Sequence, residues 1–188
     1  MDGVAWASSA MVAARTRLEI ATQNLANVST GGFRRVEARG FLSALGVTIT
    51  RQTSAQRGAL RRTGRDLDLA ILGEGEFRVR DAAGRISATR DGAFVRGTDG
   101  TLRDSRGRVV LGVHGALRVP SGATLDARDF GLPRESRVQT GFLEAPAVNA
   151  VAEMIDVLAA QRSFESAGKT VAAIDGTRQK AADAARIR

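Results

Sequence analysis

The chain has 188 residues, of which 43% are hydrophobic, and its formal net charge is +8. This length and composition indicate a folded chain, built as one medium domain or as a small domain with helical arms, and exclude an intrinsically disordered tail. The chain has no cysteine and a single histidine, His114. These counts exclude a disulfide framework, thiolate chemistry and a histidine-based metal cluster. No apolar run reaches the roughly 18 residues of a transmembrane helix, so none is predicted.

The first 30 residues carry the pattern of an amphipathic helix. Apolar residues alternate in steps of three and four, which predicts a helix with one apolar seam. The charges of Arg15 and Arg17 follow the apolar stretch 4–14, the reverse of their order in a secretory signal, so no cleaved signal peptide is predicted. The residues of the seam are Met11, Ala14, Leu18, Ala21, Leu25 and Val28.

Residues 24–33 have the chemistry of a helix C-terminus. Asn27 tolerates the left-handed conformation, and Gly31 and Gly32 adopt it freely. Asn24 and Asn27 also lie beside the apolar seam, where an amide is costly unless it finds hydrogen-bond partners. We therefore expect both amides to bond between helices or between subunits.

Residues 34–65 are rich in arginine and predict an extended linker or strands. Val47 and Ile49 alternate with threonines, as in a strand with one solvated face. The arginines of this segment could form a nucleic-acid patch or a surface that is solvated or faces another subunit. We favour the second interpretation because no aromatic residues are interleaved with them. These arginines are Arg57, Arg61, Arg62 and Arg65.

From residue 66 the apolar period changes to two, which indicates β-strands. The segment Gly73-Glu74-Gly75 predicts a hairpin turn between two such strands, and it lacks the third glycine of a phosphate-binding loop. Asp66 and Asp68 are predicted on the outer face of a strand rather than as catalytic carboxylates. Further turns are predicted at 91–92, 99–100 and 106–107, so 66–143 should be a compact, mainly antiparallel β domain. Its core is predicted to contain Leu67, Leu69, Ile71, Phe77, Val79, Val109 and Leu111.

The last quarter of the chain predicts a long helix over about 149–174. Asn149 is a candidate N-cap, and Glu153 places a negative charge in the first turn, where the helix dipole favours it. Gly168 costs roughly 1 kcal/mol relative to alanine, so we expect a close neighbour or a bend there. The seam comprises Val157, Ala160, Phe164, Ala167, Val171 and Ile174, with Val151, Ile155 and Leu158 continuing it.

Two seams at opposite ends of one chain allow two interpretations. The helices could pair as an antiparallel hairpin inside an ordinary globular domain. Alternatively, the repeat of steps of three and four with small alanines could serve a coiled coil between subunits. Periodicity alone leaves both open.

Four segments of the chain resemble one family. The N-terminal pattern N-x-A-N-x-x-T-x-G-F closely resembles the signature of flagellar basal-body rod and hook proteins, and the C-terminal helix resembles theirs at Glu153-Met154, Gln161-Arg162 and Phe164-Glu165. Residues 66–77 and 89–94 mirror further family patterns. Pro146-Ala147, Gly168 and Glu76 depart from the family's usual residues. The N-terminal pattern is carried by Asn24, Ala26, Asn27, Thr30, Gly32 and Phe33.

The resemblance implies an α+β fold in which N- and C-terminal heptad helices form a coiled-coil-like helical domain and the centre is a β domain. The predicted segments are 1–33, 34–65, 66–143 and 144–188. The family implies a non-enzymatic structural subunit of the basal-body rod in the cell envelope, most like the proximal or distal rod subunits, which polymerises through its terminal helices into the axial tube. Its partners would be copies of itself, other rod and hook proteins and the flagellar type III export apparatus, with no cofactor, small-molecule substrate or membrane insertion.

The residues expected to serve assembly belong to the motifs and the two seams. They are Met11, Leu18, Asn24, Leu25, Asn27, Thr30, Gly32, Phe33, Val151, Ile155, Leu158, Gln161, Arg162, Phe164, Glu165, Val171 and Ile174.

Three alternatives remain. A hook-type axial subunit of the same family ranks lower because hook subunits are generally longer. A basic nucleic-acid-binding module would use the arginines. An enzyme is the weakest option, because one histidine and no cysteine leave no nucleophile–base–acid constellation.

Overall fold

The computed structural model describes residues 3–43, 46–120 and 122–186 and has an α+β fold. These residues form two compact units, each assembled from separate parts of the chain. The helical unit lies within 1–26, 35–54 and 149–188, and the β unit lies within 27–34 and 55–148. Both terminal helices therefore belong to the helical unit.

The helical unit contains two helices, α1 (Gly3–Ala26) and α2 (Ala150–Arg186), which lie side by side and run antiparallel. A Cβ placed on Gly3 would lie 3.5 Å from Cδ1 of Ile174. At the other end of the pair, Asn24 hydrogen-bonds to Glu153. The helices thus pair within one chain, which is the hairpin interpretation of the two seams.

Asn149 caps α2 as predicted, because its Oδ1 accepts hydrogen bonds from the backbone N–H groups of Val151 and Ala152 at 3.0 and 3.2 Å. The helix continues through Gly168 to Arg186, well past the predicted end near 174. A Cβ on Gly168 would lie 3.9 Å from Cε of Met11, which is an ordinary contact. Close packing against α1 therefore does not require this glycine.

A β-hairpin completes the helical unit. Strands β1 (Val36–Ser43) and β2 (Gly46–Thr53) pair antiparallel from Val36 opposite Thr53 to Ser43 opposite Gly46. Val47 and Ile49 are half-buried, whereas the threonines between them are exposed, as their alternation predicts. The hairpin packs against α1.

The β unit is an assembly of short antiparallel strands. Its strands are β3 (Leu60–Arg62), β4 (Leu69–Leu72), β5 (Phe77–Arg80), β6 (Ile86–Thr89), β7 (Phe94–Arg96), β8 (Leu102–Asp104), β9 (Val109–Gly112), β10 (Gly115–Ala116), β11 (Arg137–Thr140) and β12 (Phe142–Glu144). Six of them form one sheet in the order β6-β5-β9-β8-β7, with β10 paired to β9. Separately, β11 pairs with β4, and β12 pairs with β3.

Aromatic side chains hold the core of the β unit. The ring of Phe77 meets those of Phe94 and Phe130 edge to face, with centroids 5.0 and 4.9 Å apart. The other buried members of the core are Leu69, Ile71, Val79, Leu102, Val110, Val119 and Leu125.

Of the four predicted hairpin turns, two are confirmed and two are wrong. The turn at 99–100 joins the paired strands β7 and β8, and the turn at 106–107 joins β8 and β9, as predicted. The turn at Gly73–Gly75 is not a hairpin, because β4 pairs with β11 and β5 pairs with β6 and β9. The turn at 91–92 likewise joins strands that do not pair with each other.

Two predictions of which side chains face inward are wrong. Asp68 is buried rather than on an outer face, and Nε of Arg65 lies 3.6 Å from its carboxylate. In β9 the core residue is Val110, which pairs with Val79. Val109 is only half-buried, whereas Leu111 is buried as predicted, although it is not part of the cluster around Phe77. Because residues 109–111 are all apolar, alternation could not reveal the phase of this strand.

Candidate assembly site

Asn24 joins three elements of the helical unit and has no exposed surface. Its Nδ2 donates to the backbone oxygen of Val36 at 2.8 Å and to Oε2 of Glu153 at 3.1 Å. Its Oδ1 accepts from the backbone N–H of Val36 at 2.9 Å. The amide thus pairs with the start of β1 as a neighbouring strand would, and it ties α1 to both β1 and α2.

Glu153 is 1% exposed and is compensated by a cation. Its Oε1 accepts from Nε of Arg35 at 2.5 Å, and a second guanidinium nitrogen of Arg35 donates to Asp156 at 2.9 Å. The hydrogen bond to Glu153 raises the pKa of Arg35 above its usual value, against the opposing effect of burial. Glu153 therefore acts as a buried structural anchor, beyond the helix-dipole role that its position predicts.

Gly32 of the N-terminal motif is required by contacts within the β unit. Gly32 has a φ of +63°, and a Cβ there would lie 2.6 Å from the backbone carbon of Arg90. The N–H of Gly32 donates to the backbone oxygen of Glu144 at 2.8 Å. A side chain at this position would disrupt both the conformation and the contact. Asn27 accepts a hydrogen bond from the hydroxyl of Thr30 at 3.1 Å, which closes the turn before the glycines.

Arg90 organises the β unit beneath that segment. It is 6% exposed, and its Nε donates to Glu144 at 2.8 Å. Its terminal nitrogens donate to the backbone oxygens of Ile71 at 2.8 Å and Gly75 at 2.7 Å, with a longer bond to Gly73. These bonds hold the turn that follows β4. Arg90 therefore connects the turn 73–75, strand β12 and Gly32 of the motif.

One face of α2 is covered within the helical unit. Ala160 is buried, and Val157, Ala167, Val171 and Ile174 are half-buried. With Glu153 they lie along one side of the helix, toward α1. This part of the predicted seam is therefore used inside the subunit.

Near the N-terminal end of α2, the opposite face is apolar and uncovered by the described residues. Val151, Met154, Ile155 and Leu158, which we call the outward stripe, are 66%, 53%, 61% and 55% exposed. At roughly 100° per residue, their mean direction is about opposite to that of the residues facing α1. Large aliphatic side chains at i, i+3, i+4 and i+7 form a helix-docking surface.

The remaining predicted residues divide between packing and surface. Met11, Leu18, Leu25 and Phe33 are half-buried, whereas Phe164 is 39% exposed. Gln161, Arg162 and Glu165 are exposed on α2.

Sequence reasoning missed the anchoring roles of Arg35, Arg90 and Glu144. Arg90 lies in the segment 89–94, whose resemblance to a family pattern could have indicated its role. Nothing in the sequence distinguishes Arg35 from its basic neighbours.

Three family models match successive parts of the chain. They are described as flagella basal body rod protein, for residues 6–34, flagellar hook protein FlgE/F/G D1 domain, for 70–132, and flagellar basal body rod FlgEFG protein C-terminal, for 139–184. The chain belongs to the flagellar rod and hook family. The matched segments contain Asn24 and Gly32, Arg90, and the outward stripe respectively, so the motif contacts and the stripe lie in the family's shared regions.

Individual members of the rod and hook family are similar to different extents of the chain. The flagellar basal-body rod protein FlgG of Agrobacterium fabrum is 31% identical over 73% of this chain and 60% of its own length. FlgE, the flagellar hook protein of Brucella abortus, is 34% identical over 62% of this chain and 32% of its own length. The chain therefore spans less than two thirds of the length of each of these two relatives.

The basal-body rod protein FlgF of Rhizobium meliloti is 29% identical over 95% of this chain and 95% of its own length. That alignment covers 232 residues, which exceeds the 188 residues of the chain, so this relative has additional residues within the aligned region.

Two further findings concern the described residues only. None of their helices is long and apolar enough to cross a bilayer. They also contain no group of three or more histidine, aspartate or glutamate side chains arranged to hold a metal ion.

Proposed function

We propose that this chain is a structural subunit of the flagellar basal-body rod, where it binds copies of itself and other axial subunits through the helical unit. The observation that carries the proposal is the outward stripe on a helix whose opposite face α1 already covers. A helix that is apolar on two opposite sides needs two packing partners. Within the described part of the chain, only one of them is present.

The energetics favour a partner at this surface. Each large aliphatic side chain contributes about 1.5–3 kcal/mol on full burial, and the stripe residues are more than half exposed. Covering all four should contribute on the order of 4 kcal/mol, which is substantial beside the few kcal/mol that separate weak from stable association. Left uncovered, the exposed area of the stripe adds nothing to the stability of the subunit.

Family membership supports a place in the basal body and export through the flagellar type III apparatus. A non-enzymatic role follows from the same membership. The FlgF protein of Rhizobium meliloti aligns with 95% of this chain, whereas the hook protein of Brucella abortus aligns over 32% of its own length, which favours a rod subunit over the hook alternative. Proximal and distal rod positions remain alternatives.

The arrangement of the arginines argues against the nucleic-acid alternative. Arg61 and Arg62 are neighbours on β3, so their side chains leave opposite faces of the strand. Arg65 is drawn to Asp68. The predicted arginine cluster is thus divided rather than gathered into one basic patch.

The test replaces Ile155 and Leu158 with aspartate together. Two buried carboxylates would oppose docking by several kcal/mol, so the chain should be lost from purified basal bodies while its circular dichroism and thermal transition stay unchanged. The control replaces the exposed Ser166 and Ala172 of α2 with aspartate and should be incorporated normally. Normal incorporation of the stripe variant would show that the stripe is not an assembly surface.

A further inference from the structure

The β unit carries a wide groove beside the loop that leads into β11. The groove has a volume of ≈ 1090 Å³, and it is lined by three arginines, Arg128, Arg134 and Arg137, which are all exposed. We call it the arginine groove. Asp126 is the single acidic residue among the described residues that line it. Positive charge therefore predominates in the groove.

Hydrogen bonds and the core of the β unit hold the walls of the arginine groove in place. The backbone N–H of Leu132 donates to the oxygen of Ala127 at 3.0 Å, and that of Ser136 donates to the oxygen of Pro133 at 2.9 Å. Between these turns, Phe130 is 1% exposed and its ring packs in the aromatic core. The backbone that carries the arginines is therefore fixed before a ligand binds, which lowers the entropic cost of binding.

The three arginines have no anionic partner among the described residues. Arg90, which serves the fold, is paired with Glu144 at 2.8 Å. In contrast, no hydrogen bond or ion pair between described residues uses the side chain of any arginine of the groove. The exposed acidic residues of the same loop, Asp129 and Glu135, are not among the residues that line the groove. Because a guanidinium presents a planar fork of N–H donors that fits a carboxylate, each of the three arginines can bind one without breaking an internal contact.

Strand β11 borders the groove and has a free edge. The N–H of Gly141 donates to the oxygen of Asp68, and Val138 lies opposite Ile71 in the same antiparallel pairing of β11 with β4. Hydrogen-bonded pairs alternate along such a ladder, so the N–H and C=O of Val138 point away from β4. No described residue pairs with them there. The edge can therefore accept an additional strand.

We propose that the arginine groove binds an extended acidic segment of another protein, which pairs with β11 as an added strand. The arginines select carboxylates, and the free peptide groups of Val138 select a polypeptide over an anionic polymer that has no peptide backbone. The residue of the added strand opposite Arg137 lies on the same face as that arginine, and its neighbours lie on the other face. The segment that fits therefore has acidic residues at alternate positions, with apolar residues between them.

This surface belongs to the β unit and goes beyond the proposed function, which uses the helical unit. Its test uses the purified full chain and does not depend on rod assembly. The two proposals can therefore fail separately.

Fluorescence anisotropy with a labelled peptide of alternating valine and glutamate tests the role of the arginines. We expect saturable binding to the parent protein at low salt. A triple variant that carries Arg128→Gln, Arg134→Gln and Arg137→Gln should bind with a Kd about tenfold higher, because three exposed ion pairs together change affinity by roughly that factor. Its circular dichroism should match that of the parent, since the three residues are exposed.

A matched control removes the same charge elsewhere on the β unit. It carries Arg57→Gln, Arg61→Gln and Arg106→Gln, at exposed positions that do not line the groove. Its Kd should rise by less than about twofold, because long-range attraction between exposed charges is weak and screened by salt. An equal loss in the two triple variants would overturn the site, since binding would then depend only on net charge.

Backbone methylation of the peptide tests the added strand and leaves the protein unchanged. In the expected register the N–H groups of the valines face β11 and those of the glutamates face away. Methylation of the valine nitrogens should therefore weaken binding by at least about tenfold, whereas methylation of the glutamate nitrogens should not. Equal binding of the two methylated peptides would overturn the strand pairing.

Two further outcomes would overturn the proposed partner. If the peptide does not bind the parent protein at concentrations up to about 1 mM, the groove does not recognise an acidic strand. If inorganic polyphosphate binds the groove more tightly than the peptide, and the groove triple variant loses that binding, the natural ligand is a polyanion without a peptide backbone. Tighter binding of the peptide than of polyphosphate supports the proposal.

Discussion

Asn24 gives the most demanding test of the structure, because its fully buried amide makes three hydrogen bonds to two elements. In the Asn24→Leu variant, the backbone N–H and carbonyl of Val36 lose their side-chain partners, and Glu153 loses one of its two. A buried polar group left unpaired costs about 1–3 kcal/mol, and a buried carboxylate costs more. The apolar gain from leucine offsets part of this loss. We expect the helical unit to lose about 3–5 kcal/mol of unfolding free energy.

Hydrogen exchange read by mass spectrometry measures that loss separately in each unit. Peptides from α1, β1 and α2 should lose protection by about two to four powers of ten, whereas peptides from β5, β8 and β9 should retain theirs. The control is Gln23→Leu, at an exposed position one residue earlier. The reasoning fails if Asn24→Leu changes the helical unit by less than about 1 kcal/mol, since that is no more than a single net hydrogen bond.

Three further predictions concern the β unit and the helix glycines. Arg90→Met leaves Glu144 as an uncompensated buried carboxylate and should cost about 3–5 kcal/mol in denaturant unfolding, and a loss below 1 kcal/mol would contradict the anchoring role. Gly32→Ala should cost about 2 kcal/mol or more in thermal unfolding, because the φ of Gly32 is positive and the new Cβ would meet backbone atoms. Gly176→Ala should instead stabilise the protein by about 0.5–1 kcal/mol, because no described atom outside its own helical turns lies within 4 Å of the new Cβ. Burial raises the pKa of Asp91 above 3.8. The free energy of unfolding therefore falls as pH rises through that region, because the buried side chain becomes ionised. Asp91→Asn keeps the acceptor for the N–H of Ala93 and should be at least as stable as the parent protein at about pH 7. The difference in unfolding free energy should vanish near about pH 3, where Asp91 is protonated. A variant that is less stable than the parent at neutral pH would refute the burial argument.

The sequence by itself determined the two terminal helices, the Asn149 cap, the α+β class and the family, because these depend on local periodicity, capping chemistry and motifs that are contiguous in the chain. It also placed Val151, Ile155 and Leu158 on the apolar side of a helix. Only the tertiary structure decided which apolar residues of α2 contact α1 and which face outward. The spacing of apolar residues along a helix does not show whether they pack within the subunit or against another one. The same limit explains the buried Asp68, the inward Val110 and the joining of Asn24 to Arg35 through Glu153. Each depends on groups brought together from distant parts of the chain, where pairing and desolvation, rather than local propensity, determine the arrangement.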